Sequence, residues 1–327
     1  MLYRELGTTG VRISALALGA GPVPGVMTGA DAGRQRAIVE RALAAGINWF
    51  DTAATYGNGL SEASLGTALR DAGSHEFHVA TKVRLLPDEL DDIPRRVVAS
   101  LQGSLQRLGV PRVTLLQVHN SITAHRGDEP TSLTPHDVLG RNGLLPALRR
   151  LRDDGLVAHL GLTGIGQPGA LREVIDSGEF AAIQLPYHLL NPSAGQTFGP
   201  EFPETNYGNI IAACAAQRMG ILAIRVFAGG ALVGQPPSAH THQTKFFPLD
   251  LYERDTARAL RYAVELSGEM TIDEAALRFV YSHWDITGAI VGFSEPAHVD
   301  RAVECLECGP LPEDLLARLR HLAEELP

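Results

Sequence analysis

Eight times along the chain, a short apolar run rich in strand formers gives way to a longer stretch with apolar positions at helical spacing. The runs fall at 15–18, 47–50, 77–81, 113–118, 157–162, 181–185, 221–224 and 288–291. Helical stretches lie near 33–44, 60–70, 93–108, 144–153, 169–176, 206–218, 252–266, 272–283, 297–305 and 313–325. Each strand feeding a right-handed crossover into a parallel neighbour predicts an α/β fold, a closed (β/α)8 TIM barrel. Runs such as ITGAIV, with no polar alternation, fit strands covered on both faces. Residues 3–14 predict an N-terminal β-hairpin with Gly7-Thr-Thr-Gly10 as its turn, and 313–325 an additional C-terminal helix. No Ser-, Gly- or Pro-rich linker divides the chain, so one domain over 1–327 is expected. Long polar loops at 121–142 and 229–249 follow strands four and seven, on the face where such barrels keep their sites.

The net charge of −9 and the absence of a Lys/Arg run longer than a pair argue against nucleic acid or an anionic membrane as partner. No stretch approaches the ~20 apolar residues of a membrane helix. Residues 1–11 lack the apolar segment of a secretory signal. Three cysteines, Cys214, Cys305 and Cys308, make no disulfide framework, and no second Cys/His pair accompanies Cys305-Leu-Glu-Cys308, so no metal is expected. A cytoplasmic protein is the expectation.

Four polar residues stand where strands two, three and four end. Asp51 closes the second run, Tyr56 follows in a glycine-rich turn, Lys82 closes the third, and His119 the fourth. Neighbouring strands bring all four to one rim. Each alone has an ordinary explanation: a turn aromatic, a solvated rim lysine, a helix-entry aspartate, a satisfied histidine. Together they make chemical sense. A free phenol, with a pKa of ~10, is a reluctant acid, and an adjacent ammonium favours its phenolate. Lys82 would supply that ammonium and Asp51 would hold it. Tyr56 would then pass a proton to a carbonyl oxygen or take one from an alcohol, with His119 directing that oxygen. Proton donation to a carbonyl calls for a hydride donor, hence a nicotinamide.

Here the chain resembles the aldo-keto reductases. The likeness runs from LGTTGVRISALALGAG through GINWFDTAATYGNGLSEASLG, ATK and SLQRLGVPRVTLLQVH to GAIVGFSEPAHV. It implies a catalytic tetrad at Asp51, Tyr56, Lys82 and His119. It also implies NAD or NADP bound across the barrel mouth, without a separate dinucleotide fold. The glycine-rich segment at 19–25 is interrupted by Pro22 and Pro24, and the glycines at 161, 164 and 166 are misspaced. Neither reads as a Rossmann phosphate loop.

The resemblance assigns further cofactor contacts. Thr163 and Gly164 occupy places where family members often carry Ser-Asn, and Gln184 matches a glutamine that completes carboxamide recognition. Ile224 stands where many members stack an aromatic ring, and Arg225, Val226 and Phe227 follow it. Arg225 is expected to reach the pyrophosphate or substrate, or else to form a surface salt bridge. Gly292, Ser294 and His298 belong to the segment that meets the adenosine ribose. Glu295 would repel a 2′-phosphate and accept from a free 2′-hydroxyl, which tips the expectation toward NAD, unless Arg301 swings in. Val23, Arg84, Asn120 and Phe227 are candidate pocket walls, and loops 21–30, 121–142 and 229–249 are expected to set specificity. The expected substrate is a small carbonyl compound, alcohol or sugar. The alternatives are an NAD-dependent sugar lactol dehydrogenase, suggested by likeness to L-galactose dehydrogenase-like proteins, and a non-catalytic cofactor-sensing subunit similar to potassium-channel β subunits.

Overall fold

A computed structural model describes residues 1–73, 75–202 and 204–325. A two-stranded hairpin, β1 (Tyr3–Glu5) and β2 (Arg12–Ser14), precedes eight strands: β3 (Leu16–Gly19), β4 (Trp49–Asp51), β5 (His78–Val83), β6 (Val113–Val118), β7 (Val157–Thr163), β8 (Ala182–Pro186), β9 (Gly220–Ile224) and β10 (Gly288–Val291). All eight pair in parallel, in chain order, and β10 closes on β3. Helices α1 (Ala32–Ala44), α2 (Leu60–Asp71), α3 (Ile93–Leu108), α4 (Pro135–Leu139), α5 (Leu144–Asp153), α6 (Pro168–Asp176) and α7 (Ile210–Ala216) fill the connections as far as β9. After β9 come α8 (Leu249–Glu265) and α9 (Ile272–Tyr281), and after β10 come α10 (Pro296–Glu307) and α11 (Glu313–Glu325). The expected (β/α)8 barrel, hairpin and terminal helix are all present.

Two-residue periodicity sorts the strand side chains. One parity packs outward on the helices: Leu18, Phe50, Val79, Leu116, Leu160, Ile183 and Ile221 join Ile38, Leu65, Val97 and Leu148 in the main core. The other parity fills the barrel. Ala17, Trp49, Ala80, Leu115, Ala182, Leu222 and Ile290 form an inner apolar cluster, closed from below by Leu6 and Ile13 of the hairpin. Leu6 seats over Gly220, where a Cβ would lie 2.3 Å from Leu6 Cδ1. Both plug residues are wholly buried, each contributing about 1.5–3 kcal/mol. The hairpin is thus the floor of the barrel, and the opposite mouth is left for chemistry.

Three stretches differ from the sequence expectation. Loop 121–142 contains α4, whose signal is a short capping box: Thr134 Oγ1 accepts from Asp137 N at 3.2 Å, and Asp137 Oδ2 accepts from Thr134 N at 2.9 Å. The expected helix over 206–218 shrinks to α7, because Gly208 and Asn209 take left-handed conformations (φ 61° and 52°) that interrupt helical winding. Loop 229–249 is not structureless: it shares a 3₁₀ segment over Ala228–Val233, built around left-handed Gly229 and Gly230.

Candidate active site

The inward parity that carries Trp49, Ala80, Leu115 and Ala182 continues one step up each strand to Asp51, Lys82, Gln117 and Gln184. The register pairs Lys82 with Gln117, and Asp51 with Ala80. A buried polar layer therefore rests directly on the apolar one. Asp51 is its hub. Its Oδ1 accepts from Lys82 Nζ at 2.5 Å, and its Oδ2 accepts from the amides of Gln117, at 3.2 Å, and Gln184. Asp51 and Lys82 are 3% and 1% exposed, so their charges meet in a poorly solvated place where pairing is obligatory. Burial works against the Lys82 charge. Asp51, the Tyr56 oxygen and hydrogen bonds to both outweigh it and hold Lys82 above the usual lysine range.

Tyr56 stands above this layer. Its Oη lies 3.4 Å from Lys82 Nζ, and Lys82 sits 4.9 Å from the ring centre. The turn after it is left-handed at Gly57, Asn58 and Gly59. Ser61 anchors that turn by donating to Ala20 O at 2.6 Å and meeting Thr52 Oγ1 at 2.8 Å. Glu62 adds a second anchor: wholly buried, it accepts from Thr81 at 2.5 Å and Arg107 Nε at 2.7 Å. The motif YGNGLSE is thus a device for fixing one phenol. Gly21 of the first loop lies against the phenol ring, with a built Cβ 3.7 Å from Tyr56 Cε2.

His119 meets Tyr56 edge to face, 5.6 Å between ring centres at 83°. Burial, then the charges of Arg84 and Lys82, push His119 well below the usual histidine range, so it is neutral near pH 7. Thr55 Oγ1 lies 3.4 Å from its Nδ1. A hydroxyl donating there leaves Nε2–H as the imidazole's own donor.

The residues assigned to the cofactor fall into distinct places. Thr163 and Gln184 are register partners on β7 and β8. Thr163 donates to Val118 O at 2.9 Å and Gln184 donates to Asp51, so each keeps an oxygen to accept with. Gly164 donates its N–H to Gln184 O at 2.7 Å, and a Cβ there would stand 2.1 Å from Leu185 Cδ2, so a side chain at 164 would have to push Leu185 aside. Ile224 ends β9 half-buried, and Val226 is buried in the main core, with Phe227 packed partly against it. Gly292 lies beneath the first loop, where a Cβ would meet Val23 O at 2.5 Å. Ser294 Oγ and His298 Nδ1 are 2.9 Å apart at the start of α10.

Two expectations are corrected. Arg225 makes no surface salt bridge: it pairs with buried Asp255 at 3.5 Å and lies 3.9 Å over the Phe247 ring. Asn120 is a strut rather than a pocket wall. Buried, it accepts from Leu85 N at 2.9 Å and donates to Leu85 O at 2.8 Å and Thr131 O at 2.6 Å. Arg301 binds Asp273 at 2.9 Å and Glu274 at 3.4 Å. Sequence reading missed Gln117, although it lies two residues before His119 on the same inward parity. It also missed Arg34 of α1, which donates to Ser294 O at 2.5 Å and pairs with Glu295 at 3.7 Å. No local pattern announces Arg34, because 260 residues separate it from its partner.

A (β/α)8 barrel with aspartate, tyrosine, lysine and histidine converging on its C-terminal rim defines a class of oxidoreductase. Residues 15–324 match the model of the Aldo/keto reductase family, and the chain belongs to that family. It is an oxidoreductase, and membership implies a nicotinamide dinucleotide. It is 27% identical over 322 residues to a D-threo-aldose 1-dehydrogenase from Pseudomonas sp, covering 90% of each chain. It is 25% identical over 334 residues to an L-galactose dehydrogenase from Arabidopsis thaliana, covering 98% of this chain and 94% of the other. Among solved structures it is similar in fold to an aldo-keto reductase from Bacillus halodurans in its holo form. That match has a TM-score of 0.73 and 21% identity, over 98% of this chain and 96% of that one. Among the described residues no helix is long and apolar enough to cross a membrane, and no group of three His, Cys, Asp or Glu is placed to hold a metal.

Proposed function

We infer that this barrel interconverts an aldehyde or ketone with an alcohol, with Tyr56 as general acid and base. The observation that carries the reading is the line Asp51–Lys82–Tyr56, at 2.5 and 3.4 Å, with neutral His119 edge-on to the phenol. In carbonyl reduction Tyr56 gives its proton to the substrate oxygen. The charge then left on the phenol oxygen faces the Lys82 ammonium, which Asp51 keeps in place. His119 donates from Nε2 to the same oxygen and fixes its direction. In alcohol oxidation the proton returns to Tyr56. The nicotinamide, when bound, supplies or accepts the hydride.

The residues present fit that cofactor. Thr163 and Gln184 offer two acceptors side by side, matching the two N–H bonds of a carboxamide. Gly164, its own N–H committed to Gln184 O, brings no donor for the carboxamide oxygen. Ile224 presents an aliphatic face in place of an aromatic one. At the other end, Ser294, His298 and Arg34 gather at the N-terminus of α10, a donor-rich place suited to a phosphate or ribose. Glu295 already occupies Arg34, which favours NAD over NADP.

Replacing Tyr56 with Phe tests the reading. Turnover falls about 10²–10⁴-fold while the dissociation constant for reduced cofactor, followed by fluorescence, stays near that of the unchanged protein. A Tyr56→Phe variant with undiminished turnover would defeat it. A second reading, oxidation of a sugar lactol to its lactone, is favoured by the names of two relatives. Aldoses with NAD⁺, compared with simple aldehydes and reduced cofactor, separate the two.

A further inference from the structure

We propose that Arg84 is the anchor for an anionic group, carboxylate or phosphate, carried by the substrate of this site. The proposal rests on the oxidoreductase reading of Tyr56 and adds the substrate's chemical class to it.

Arg84 follows Lys82 by two residues, at the mouth end of β5. Its backbone is pinned, because the next residue, Leu85, has both its N–H and its carbonyl bonded to the Asn120 amide. The side chain is half-buried. Its guanidinium lies 5.5 Å from the Phe246 ring centre, and its Nε approaches His119 O at 3.4 Å. Phe246 comes from the loop after β9, so that loop crosses the mouth from the seventh barrel strand to the third. The charge of Arg84 lowers His119 and His240 of the crossing loop, beside burial. It therefore stands beside the reacting groups.

Among the described residues the guanidinium has no acidic partner. Burial pulls Arg84 down from its usual range, and the Tyr56 oxygen opposes this only in part. Arg107 is matched with Glu62, Arg225 with Asp255 and Arg258 with Glu204. Lys82 is matched by Asp51. Among the described residues the Arg84 charge is left uncompensated beside the reacting groups, in a chain whose net charge is −9. A partly desolvated guanidinium has a planar fork of donors suited to carboxylate or phosphate oxygens. The residues assigned to the cofactor lie on β7 to β10 and beyond, whereas Arg84 extends β5, so the anion it awaits belongs to the substrate.

Paired substrates test this. One pair is 4-oxobutanoate and butanal, and the other is glyceraldehyde 3-phosphate and glyceraldehyde, each with reduced cofactor in excess. The expected result is that the unchanged enzyme prefers the charged member of at least one pair by about 10- to 100-fold in kcat/KM, mainly through KM. The pair that shows it identifies carboxylate or phosphate. In Arg84→Met the preference collapses to within about 3-fold, and Arg84→Lys restores part of it. Equal treatment of both members in both pairs overturns the proposal, as does a preference that survives Arg84→Met. If the unchanged enzyme reduces no aldehyde, the carbonyl–alcohol reading of Tyr56 falls. Calorimetric binding of 4-oxobutanoate and glyceraldehyde 3-phosphate to cofactor-loaded enzyme then decides the anion site alone: binding of either lost in Arg84→Met upholds it, and binding of neither, or unchanged binding, ends it.

Discussion

The Lys82 ammonium and the Asp51 carboxylate meet at 2.5 Å, almost wholly withdrawn from solvent. Removing one partner strands the other's charge, which typically costs 3–5 kcal/mol. Asp51→Asn and Lys82→Met are each expected to lower the urea midpoint by an amount of that order and to abolish turnover. The double variant removes both charges, so it is expected to regain much of the stability and none of the activity. Recovery of turnover in the double variant would show that the pair serves the fold alone.

Gly292 and the first loop are in close approach. A Cβ at 292 would stand 2.5 Å from Val23 O and 2.6 Å from Pro24 Cδ, so Gly292→Ala must displace backbone. Overpacking of this kind costs about 1–3 kcal/mol. The same loop carries Gly21 against the Tyr56 ring. The expected outcome is a lower melting temperature together with a lower kcat, although the atoms nearest a Cβ at 292 belong to Val23 and Pro24. A kcat unchanged in a destabilised variant would show that the loop does not position Tyr56.

Acid is expected to destabilise the fold through its histidines. Burial, reinforced by Arg84 and Lys82, depresses His119, and burial with Arg225 and Arg258 depresses His188, both well below the ordinary value. The unfolded chain protonates these rings near pH ~6.5 while the folded chain does not. The unfolded state therefore binds more protons below that pH, and stability falls as pH falls, by about 1.4 kcal/mol per unit per ring. Asp255 works in the other direction. Burial raises it to about 6, so between pH 4 and 6 the folded state takes up its proton first. One such carboxyl offsets part of the loss. His188 Nδ1 is buried without a hydrogen-bond partner among the described residues, so a neutral replacement costs little there. Urea unfolding of His188→Gln should depend less on pH between 7 and 5 than that of the unchanged protein. An identical slope would remove His188 from the account.

The barrel was legible because its signals are local: eight apolar runs, each ended by a turn, fall within a residue or two of β3 to β10. The convergence of Asp51, Tyr56, Lys82 and His119 was legible because strand order turns sequence position into rim position, and Asp51, Lys82 and His119 sit on one inward parity. What could not be read are relationships set by side chains meeting across the mouth. Asn120 looks like a pocket residue beside His119, but its amide is captured by Leu85 and Thr131. Arg225 follows a strand end like those rim residues, and its pairing with Asp255 of α8 is set across the fold. Arg34 has no motif at all, and its part in the site exists because β10 closes next to β3.

That last closure bears on the proposed preference for NAD over NADP. Arg34 donates to Ser294 O at 2.5 Å and pairs with Glu295 at 3.7 Å, both side chains being substantially exposed. At the end of the site proposed to take the ribose, Glu295 would act in two ways: it contributes negative charge, and it holds the Arg34 guanidinium. Both disfavour a 2′-phosphate, and both are lost in Glu295→Gln. An exposed pair is worth about 0.2–1 kcal/mol, so its release should strengthen NADPH binding by about 1.4- to 5-fold and leave NADH binding nearly unchanged. Arg34→Ala should not yield that gain, because the guanidinium that would meet the phosphate is gone. Adding both changes together distinguishes the two contributions: NADPH affinity above the unchanged protein in the double variant assigns the effect to the carboxylate's repulsion, and its absence assigns it to Arg34. The measurement is fluorescence titration of each variant with NADH and NADPH at two salt concentrations, since the NADPH term must weaken as salt rises. A ratio of affinities indifferent to both residues would move ribose recognition away from α10.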